Sequence, residues 1–452
     1  MRTPICLTAL FLTVQSISAQ AAPPVSADSR LQIEGRVAFT EGPAWHPSGN
    51  VYFSDIANNR IMRRDRAGVI HTYRTESGRT NGLAFDHQGR LICCEGGGAE
   101  SNRRVTRIEL DGTITVLAES YQGKRFNSPN DCTIDSKGRI YFSDPRYRDR
   151  RSMEIFDDND QKVEGVYRID DVGKVERIIT HEVDRPNGLA ISPDEKFLFV
   201  ADNVNDPKPL RDVQNRKLWR FDLNADGSVK PDSRKLLFDW ETDRGPDGMA
   251  VDREGRLYVA AGFNFPSGSE TVKKYKSGIY VISPEGDLLH FIPVPIDMIT
   301  NCDFGGDDLK TLFITAGHKL WSIRVATPGH VAWLKGEAAD PEFKTTSSGL
   351  KYRILRKSDG RKPTANDTVR CHYRGWLDDE TEFDSSYKRG EPASFPLSGV
   401  ITGWTEGLQL VGEGGKIELD IPYQLAYGEK GRPPIIPPKA RLHFVIELIS
   451  IR

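Results

Sequence analysis

Between about residues 41 and 316 the chain repeats one arrangement of polar and apolar positions. An acid or amide is followed by a turn residue, an alternating apolar run, a Gly-containing turn and a second apolar run. The copies are Glu41–Asp55, Asn81–Glu95, Asn130–Asp144, Asn187–Asp202, Asp247–Ala261 and Asn301–Ala316. Their leading residues stand 40, 49, 57, 60 and 54 positions apart. Period-two alternation bounded by Gly and Asp predicts strand pairs. Further pairs, such as Gly165–Ile179 and Lys217–Val229, fall between the copies with Asp-Gly-type turns. Two strands within each copy and two between copies make four-stranded units. Radial repetition of such units is the pattern of a β-propeller, and six copies predict six blades.

The leading position of each copy carries candidate chemistry. A single Asn-Gly or Asp-Gly pair is usually only a hairpin turn, but these begin an inner strand. Equivalent positions of a closed propeller form a ring around its axis. That ring is Glu41, Asn81, Asn130, Asn187, Asp247 and Asn301, all oxygen donors and two of them carboxylates. Carboxylates buried together repel and lose hydration, and a hard divalent cation relieves both costs. Ca²⁺ is the expected ion, with Mg²⁺ or Zn²⁺ as alternatives; no His falls on the ring to favour zinc.

The segments Glu41–Trp45, Ser128–Asp131, Tyr141–Pro145, Pro186–Leu189 and Pro246–Met249 resemble the gluconolactonase / senescence-marker-protein / luciferin-regenerating-enzyme family. The resemblance runs from about Leu31 to Trp333. It implies a metal held by Glu41, Asn187 and Asp247, with Asn130 beside metal and substrate. Asn81 and Asn301 become supporting or substrate-contacting candidates. The implied reaction is hydrolysis of a lactone whose carbonyl the cation polarises, with Asp247 assisting the attacking water. Competing signatures are missing, with no Gly-x-Ser-x-Gly and no His-Glu-x-x-His. Phe263-Asn264-Phe265 is bulkier than the family pattern and is expected to alter the pocket mouth. Phosphotriester hydrolysis is the alternative chemistry for such a propeller.

After Trp333 the repeat stops, and residues 334–344 read as a small, polar, aperiodic linker. Thr368–Leu377, Lys416–Pro422 and Arg441–Ile451 then alternate as half-buried antiparallel strands, with a short amphipathic helix at Trp404–Leu410. Taken one by one, the aromatics of this region read as core. Tyr373–Ser386, Phe395–Leu410, Pro422–Gly428 and Pro433–Ile451 together resemble the FK506-binding-protein class of peptidyl-prolyl isomerases. That resemblance implies an apolar basin of Tyr373, Phe383, Asp384, Val400, Ile401, Trp404, Tyr427, Ile436 and Phe444, floored by Trp404. Tyr427 hydroxyl and the Ile401 N–H would hold substrate carbonyls, and Asp384 would polarise the edge. The amide barrier of roughly 18–20 kcal/mol is a resonance barrier, so neither nucleophile nor metal is needed. Ala393 and Arg432 depart from the family pattern near the rim. The Gly-rich Gly412–Lys416 is not a phosphate loop, because Ile417 follows the Lys.

The first residues differ from all of this. Arg2, an apolar stretch over Ile5–Val14 and Ala19-Gln20-Ala21 form a signal-peptide pattern, too short to span a bilayer. The expected organisation is therefore a signal peptide over 1–21, a propeller over 28–333, the linker, and an isomerase domain over 345–452. An exported protein, periplasmic or secreted, follows. Its 62 basic and 64 acidic residues nearly cancel, so no global field draws nucleic acid. Gly and Pro, 41 and 27 of 452 residues, fit a turn-rich β protein. Without Cys6 the cysteines number five, an odd set that reads as small buried hydrophobes rather than a disulfide framework.

The sequence thus predicts a mainly β chain: a six-bladed propeller followed by a small α+β isomerase domain. The expected partners are a small lactone, or sugar-acid lactone, and proline-containing or unfolded polypeptides. No nucleic acid and no membrane span are expected, and the chain is expected to be a monomer. The competing reading is an isomerase or chaperone whose propeller only binds ligand or protein.

Overall fold

The computed structural model describes residues 24–26, 28–97, 101–147, 150–204, 215–267, 270–332, 343–356, 358, 360–378, 381–389 and 391–452. The expected signal peptide, and residues 334–342 of the expected linker, lie outside the described residues.

Six four-stranded antiparallel sheets form the first unit, one for each repeat. Blade 1 runs through Thr40–Trp45, Val51–Asp55, Arg60–Arg64 and Ile70–Thr75. Blades 2 to 5 occupy residues 83–118, 132–179, 186–239 and 249–293 in the same order of strands. Blade 6 has only three strands of its own, Ile299–Gly305, Thr311–Ala316 and Lys319–Arg324. Its outermost strand is Gln32–Arg36 from the other end of the chain, paired antiparallel with Lys319–Arg324. The ring is thereby closed by backbone hydrogen bonds, which give blade 6 four strands like the others.

Position within a blade explains the change in pattern along it. The second strands, such as Val51–Asp55, Leu91–Glu95, Ile140–Asp144 and Leu257–Ala261, are buried along their whole length because a neighbouring blade covers each face. They therefore read as continuous apolar runs. The outer strands, such as Ile70–Thr75, are exposed or half-buried at every position. The acid that ends four of the copies is a buried clasp. Asp144 accepts from the backbone N–H groups of Asn127 and Ser128, and Asp202 from those of Asp184 and Arg185.

The glycine after the leading residue has a steric cause. A Cβ on Gly188 would lie 2.2 Å from the Asp247 carbonyl oxygen, and one on Gly248 would lie 1.9 Å from Asn301 Cγ. The inner ends of neighbouring blades thus meet backbone to backbone. Gly188 N–H donates to the Asp247 carbonyl at 3.1 Å, and Gly248 N–H to the Thr300 carbonyl at 2.6 Å. In half of the copies the leading residue lies inside a strand, at a register shift beside Glu41, Asn187 and Asn301. In the others it lies just before the strand.

The C-terminal unit is one antiparallel sheet. Its main path is Lys351–Arg356, Lys416–Ile421, Leu442–Ile451, Thr368–Trp376 and Glu382–Ser385, and Ala393–Pro396 pairs the first half of Thr368–Trp376. The helix Thr402–Leu408 crosses the sheet, shorter than the expected Trp404–Leu410 at its end and longer at its start. Gly403 and Gly407 allow that approach, since a Cβ on either would meet Ile421 or Leu419 within 2.6 Å. The five cysteines among the described residues are all buried and free.

Candidate active sites

All six ring residues of the propeller are buried, so the repeat brings them to one place at the blades' inner ends. Each of the three residues assigned to the metal has one head atom already occupied. Gly42 N–H donates to Glu41 Oε2 at 2.9 Å. Asn187 Nδ2 donates to the Tyr147 hydroxyl at 2.7 Å. Arg244 Nη2 donates to Asp247 Oδ2 at 2.8 Å. Asn301 is different. Its Oδ1 accepts from Cys302 N–H at 2.8 Å and its Nδ2 points at Asp131 Oδ1 at 3.4 Å, which makes it a support. Asn81 and Asn130 hold the ring through their backbone: Ser54 Oγ donates to the Asn81 carbonyl and Gly82 N–H to that of Asn130.

The electrostatics are those of acids confined together. Burial, followed by the neighbouring Asp247, pushes the Glu41 carboxyl well above its ordinary range. Burial also raises Asp247, although Arg244 pulls in the opposite direction. Asp131 is pushed up to about 7 by burial, against hydrogen bonds from Leu189, Cys132 and Asn301. Oxygen donors of these types suit a hard divalent cation, and among the described residues no group of three or more His, Cys, Asp or Glu side chains is gathered to hold one. Beyond the ring, a cavity of about 110 Å³ follows the axis, lined by Asp131, Asn301, Asp303 and His330 among others.

Sequence reasoning missed Asp131, Tyr147 and Arg244. Asp131 had a legible signal: it is the only carboxylate at a position where most copies carry Gly. Tyr147 and Arg244 have none, because each precedes or follows a motif in an irregular segment. Of the bulky Phe263-Asn264-Phe265 segment, Phe263 is buried, 3% exposed, with the Arg244 guanidinium over its ring at 4.9 Å. Phe265, 73% exposed, is the residue at the surface.

In the C-terminal unit the sheet and the helix bring the expected aromatics together. Trp404 is buried, with Tyr373 and Phe444 edge-on at 5.1 Å each and Phe395 at 5.5 Å. Phe383 stands edge-on to Phe444 at 5.4 Å. Val400, Ile401 and Tyr427 pack on the same core from partly exposed positions, and Ile436 is buried in it. Asp384 is held from two sides: it accepts from the Tyr373 hydroxyl at 2.6 Å and from Arg389 Nη1 at 2.6 Å. Arg389 Nη2 also donates to the Tyr373 hydroxyl at 2.7 Å. Burial would raise the Asp384 carboxyl, but these donors hold it below its ordinary value. Burial pushes the Tyr373 hydroxyl up to about 12. Arg389 and Phe395 were not foreseen; Arg389 joins Asp384 to Tyr373, and Phe395 packs on Tyr373 and Trp404. Arg432 lies over the Tyr427 ring at 5.8 Å, and Ala393 sits in the edge strand opposite Cys371.

Fold and sites together define a two-unit protein, an oxygen-ringed six-bladed propeller followed by an aromatic-basin isomerase fold. Residues 39–318 match the SMP-30/Gluconolactonase/LRE-like region, and the chain belongs to that family. Residues 359–449 match the FKBP-type peptidyl-prolyl cis-trans isomerase family. The chain is 31% identical over 321 residues to a gluconolactonase of Zymomonas mobilis, covering 66% of this chain and 81% of that protein. It is 48% identical over 121 residues to an FKBP-type 22 kDa peptidyl-prolyl cis-trans isomerase of Escherichia coli, covering 27% of this chain and 59% of that one. The chain thus spans less than two thirds of that isomerase. The solved structure of a gluconolactonase from Xanthomonas campestris superposes with a TM-score of 0.53 at 28% identity, over 67% of this chain and 95% of the other. Among the described residues no helix is long and apolar enough to cross a membrane.

Proposed function

We propose that the chain is an exported bifunctional enzyme, a divalent-metal-dependent lactone hydrolase joined to a prolyl isomerase. The observation that carries the first activity is the burial of Glu41 and Asp247 together, each raising the protonation demand of the site. Glu41, Asn187 and Asp247, with Asn130 beside them, would hold the ion, which supplies Lewis-acid polarisation of the lactone carbonyl. Asp247 would take the proton of the attacking water and return it to the alkoxide oxygen that leaves as the ring opens, and the Asn130 amide would orient the substrate. The closely packed inner strands exclude bulk water from the reacting atoms. The N-terminal signal-peptide pattern supports export.

For the isomerase, support comes from the box of rings around Trp404. Burying the imide of an X-Pro bond in this apolar basin favours the twisted, less dipolar state over the planar one. Ile401 N–H, for which the described residues supply no acceptor, would donate to a substrate carbonyl, and so would the Tyr427 hydroxyl.

A panel of lactones and phosphotriesters, assayed with the full chain after chelation and after adding back Ca²⁺, Mg²⁺ or Zn²⁺, tests the propeller. Cation-dependent lactone turnover is expected, and none with metal bound would overturn this half. A proline-peptide isomerisation assay tests the other half. Phe444→Ala is expected to lose about tenfold or more, the scale of a lost transition-state contact. Full activity in both Phe444→Ala and Tyr427→Phe would overturn the basin.

A further inference from the structure

The three residues assigned to the ion share a feature that their types alone do not require. Each presents two head atoms, and in each a protein group already engages one: Gly42 N–H on Glu41 Oε2, the Tyr147 hydroxyl on Asn187 Nδ2, and Arg244 on Asp247 Oδ2. The engagement at Asp247 is the strongest of these, being a charge-assisted contact. Arg244 is itself held in a socket. The Phe263 ring lies under its guanidinium at 4.9 Å, and its Nη1 contacts Glu270 Oε1 at 3.2 Å.

We propose that Arg244 is a positioning residue that restricts Asp247 to a single metal-facing oxygen and so sets the ion preference of the propeller. This inference rests on the metal-site reading above. A carboxylate oxygen that faces a guanidinium is a poorer second ligand, so the Arg244 contact, added to the hydrogen bond from Asn187, disfavours a bidentate bite by Asp247. Ca²⁺ readily takes bidentate carboxylates and six to eight ligands, whereas Mg²⁺ demands a strict octahedron built from single oxygens. The Arg244 clamp therefore weighs against Ca²⁺ relative to Mg²⁺ and keeps coordination positions open for substrate. The bulk of Phe263 belongs to the same device, as the ring over which the guanidinium lies while it contacts the carboxylate.

The test is calorimetric titration of the metal-free full chain with Ca²⁺ and, separately, with Mg²⁺, in wild type and Arg244→Gln. Removing the positive charge strengthens attraction for both ions, so their ratio is the informative quantity. It is expected to shift towards Ca²⁺ by about tenfold, with kcat on a responsive lactone lower by about 10–100-fold and KM little changed. Arg244→Lys, which keeps the charge and one donor, is expected to recover part of the ratio. Phe263→Leu removes the shelf without touching Asp247 and is expected to shift the ratio in the same direction by less, which keeps the test open should Arg244→Gln fold poorly. An unchanged Ca²⁺/Mg²⁺ ratio in folded Arg244→Gln or Phe263→Leu overturns the proposal. A rise in KM with kcat unchanged also overturns it, since Arg244 would then be a substrate contact. A wild-type chain that binds no divalent cation removes the metal-site reading itself, and this proposal with it.

Discussion

At the scale of single residues, the axis of the propeller holds more acid than its surroundings tolerate. Glu41, Asp247 and Asp131 all keep their protons to higher pH in the folded chain than in an unfolded one, chiefly because they are buried. Below about pH 3 both states are largely protonated and these groups cost little. As pH rises towards 7 the unfolded state ionises first, so the metal-free propeller loses stability over that window. Its melting temperature in chelator is expected to fall from pH 4.5 to 7.5. Stabilisation by an added divalent cation should grow over the same range. Glu41→Gln removes one of these acids and a ligand together. Its metal-free form is expected to melt higher than wild type at pH 7.5, yet gain nothing from cation and lose lactone turnover about 100-fold or more. A lower metal-free melting temperature would contradict this account of the ring. In the other unit, Arg389 is the residue that fixes both Asp384 and Tyr373. Arg389→Ala is expected to lower isomerase activity about tenfold or less while leaving the fold intact, read by the same proline-peptide assay, because it disturbs the rim and not the floor.

At the scale of elements, the repeat was legible because its cause is local and periodic. Alternation betrayed the strands, and the Asx-Gly pair marked the point where neighbouring blades touch. Gly248→Ala tests that cause. Its Cβ would have to displace the Asn301 side chain, and a stability loss of about 2–3 kcal/mol is expected in denaturant melts. The closing strand Gln32–Arg36 was not legible. It carries no copy of the motif, and among the described residues its strand partner is Lys319–Arg324, at the opposite end of the propeller sequence. The same reason hid Tyr147 and Arg244 from the site, for each meets its partner through the fold of an irregular segment and no period in the sequence leads to it. Arg389, in the short helix Ser386–Arg389, reaches Asp384 and Tyr373 with no repeat to mark it. Asp131 is the intermediate case, because the repeat marks it as odd without saying what it touches.

At the scale of the molecule, the two units do not share a core. One apolar cluster contains only residues from Leu350 to Ile451, and every other lies within the propeller and the residues just before it. Unfolding is therefore expected in two calorimetric transitions. Divalent cation should move one of them, and a proline-mimetic ligand of the basin the other. A single transition shifted by both would show that the units are coupled. The near-zero net charge of the whole chain conceals this division, since the acids that matter stand on one axis.

The borrowed outer strand of blade 6 also sets an order in time. Gln32–Arg36 is among the first parts of the propeller to be synthesised, yet Gln32 pairs with Ser322, 290 residues further along (322 − 32). Five blades can form from neighbouring segments as they emerge, because their strands are consecutive. The ring itself cannot shut until nearly all of the propeller has left the ribosome, and until then two edges wait bare. The strand made first is the last to find its place, so the slowest and most aggregation-exposed step of this chain falls at the moment of closure.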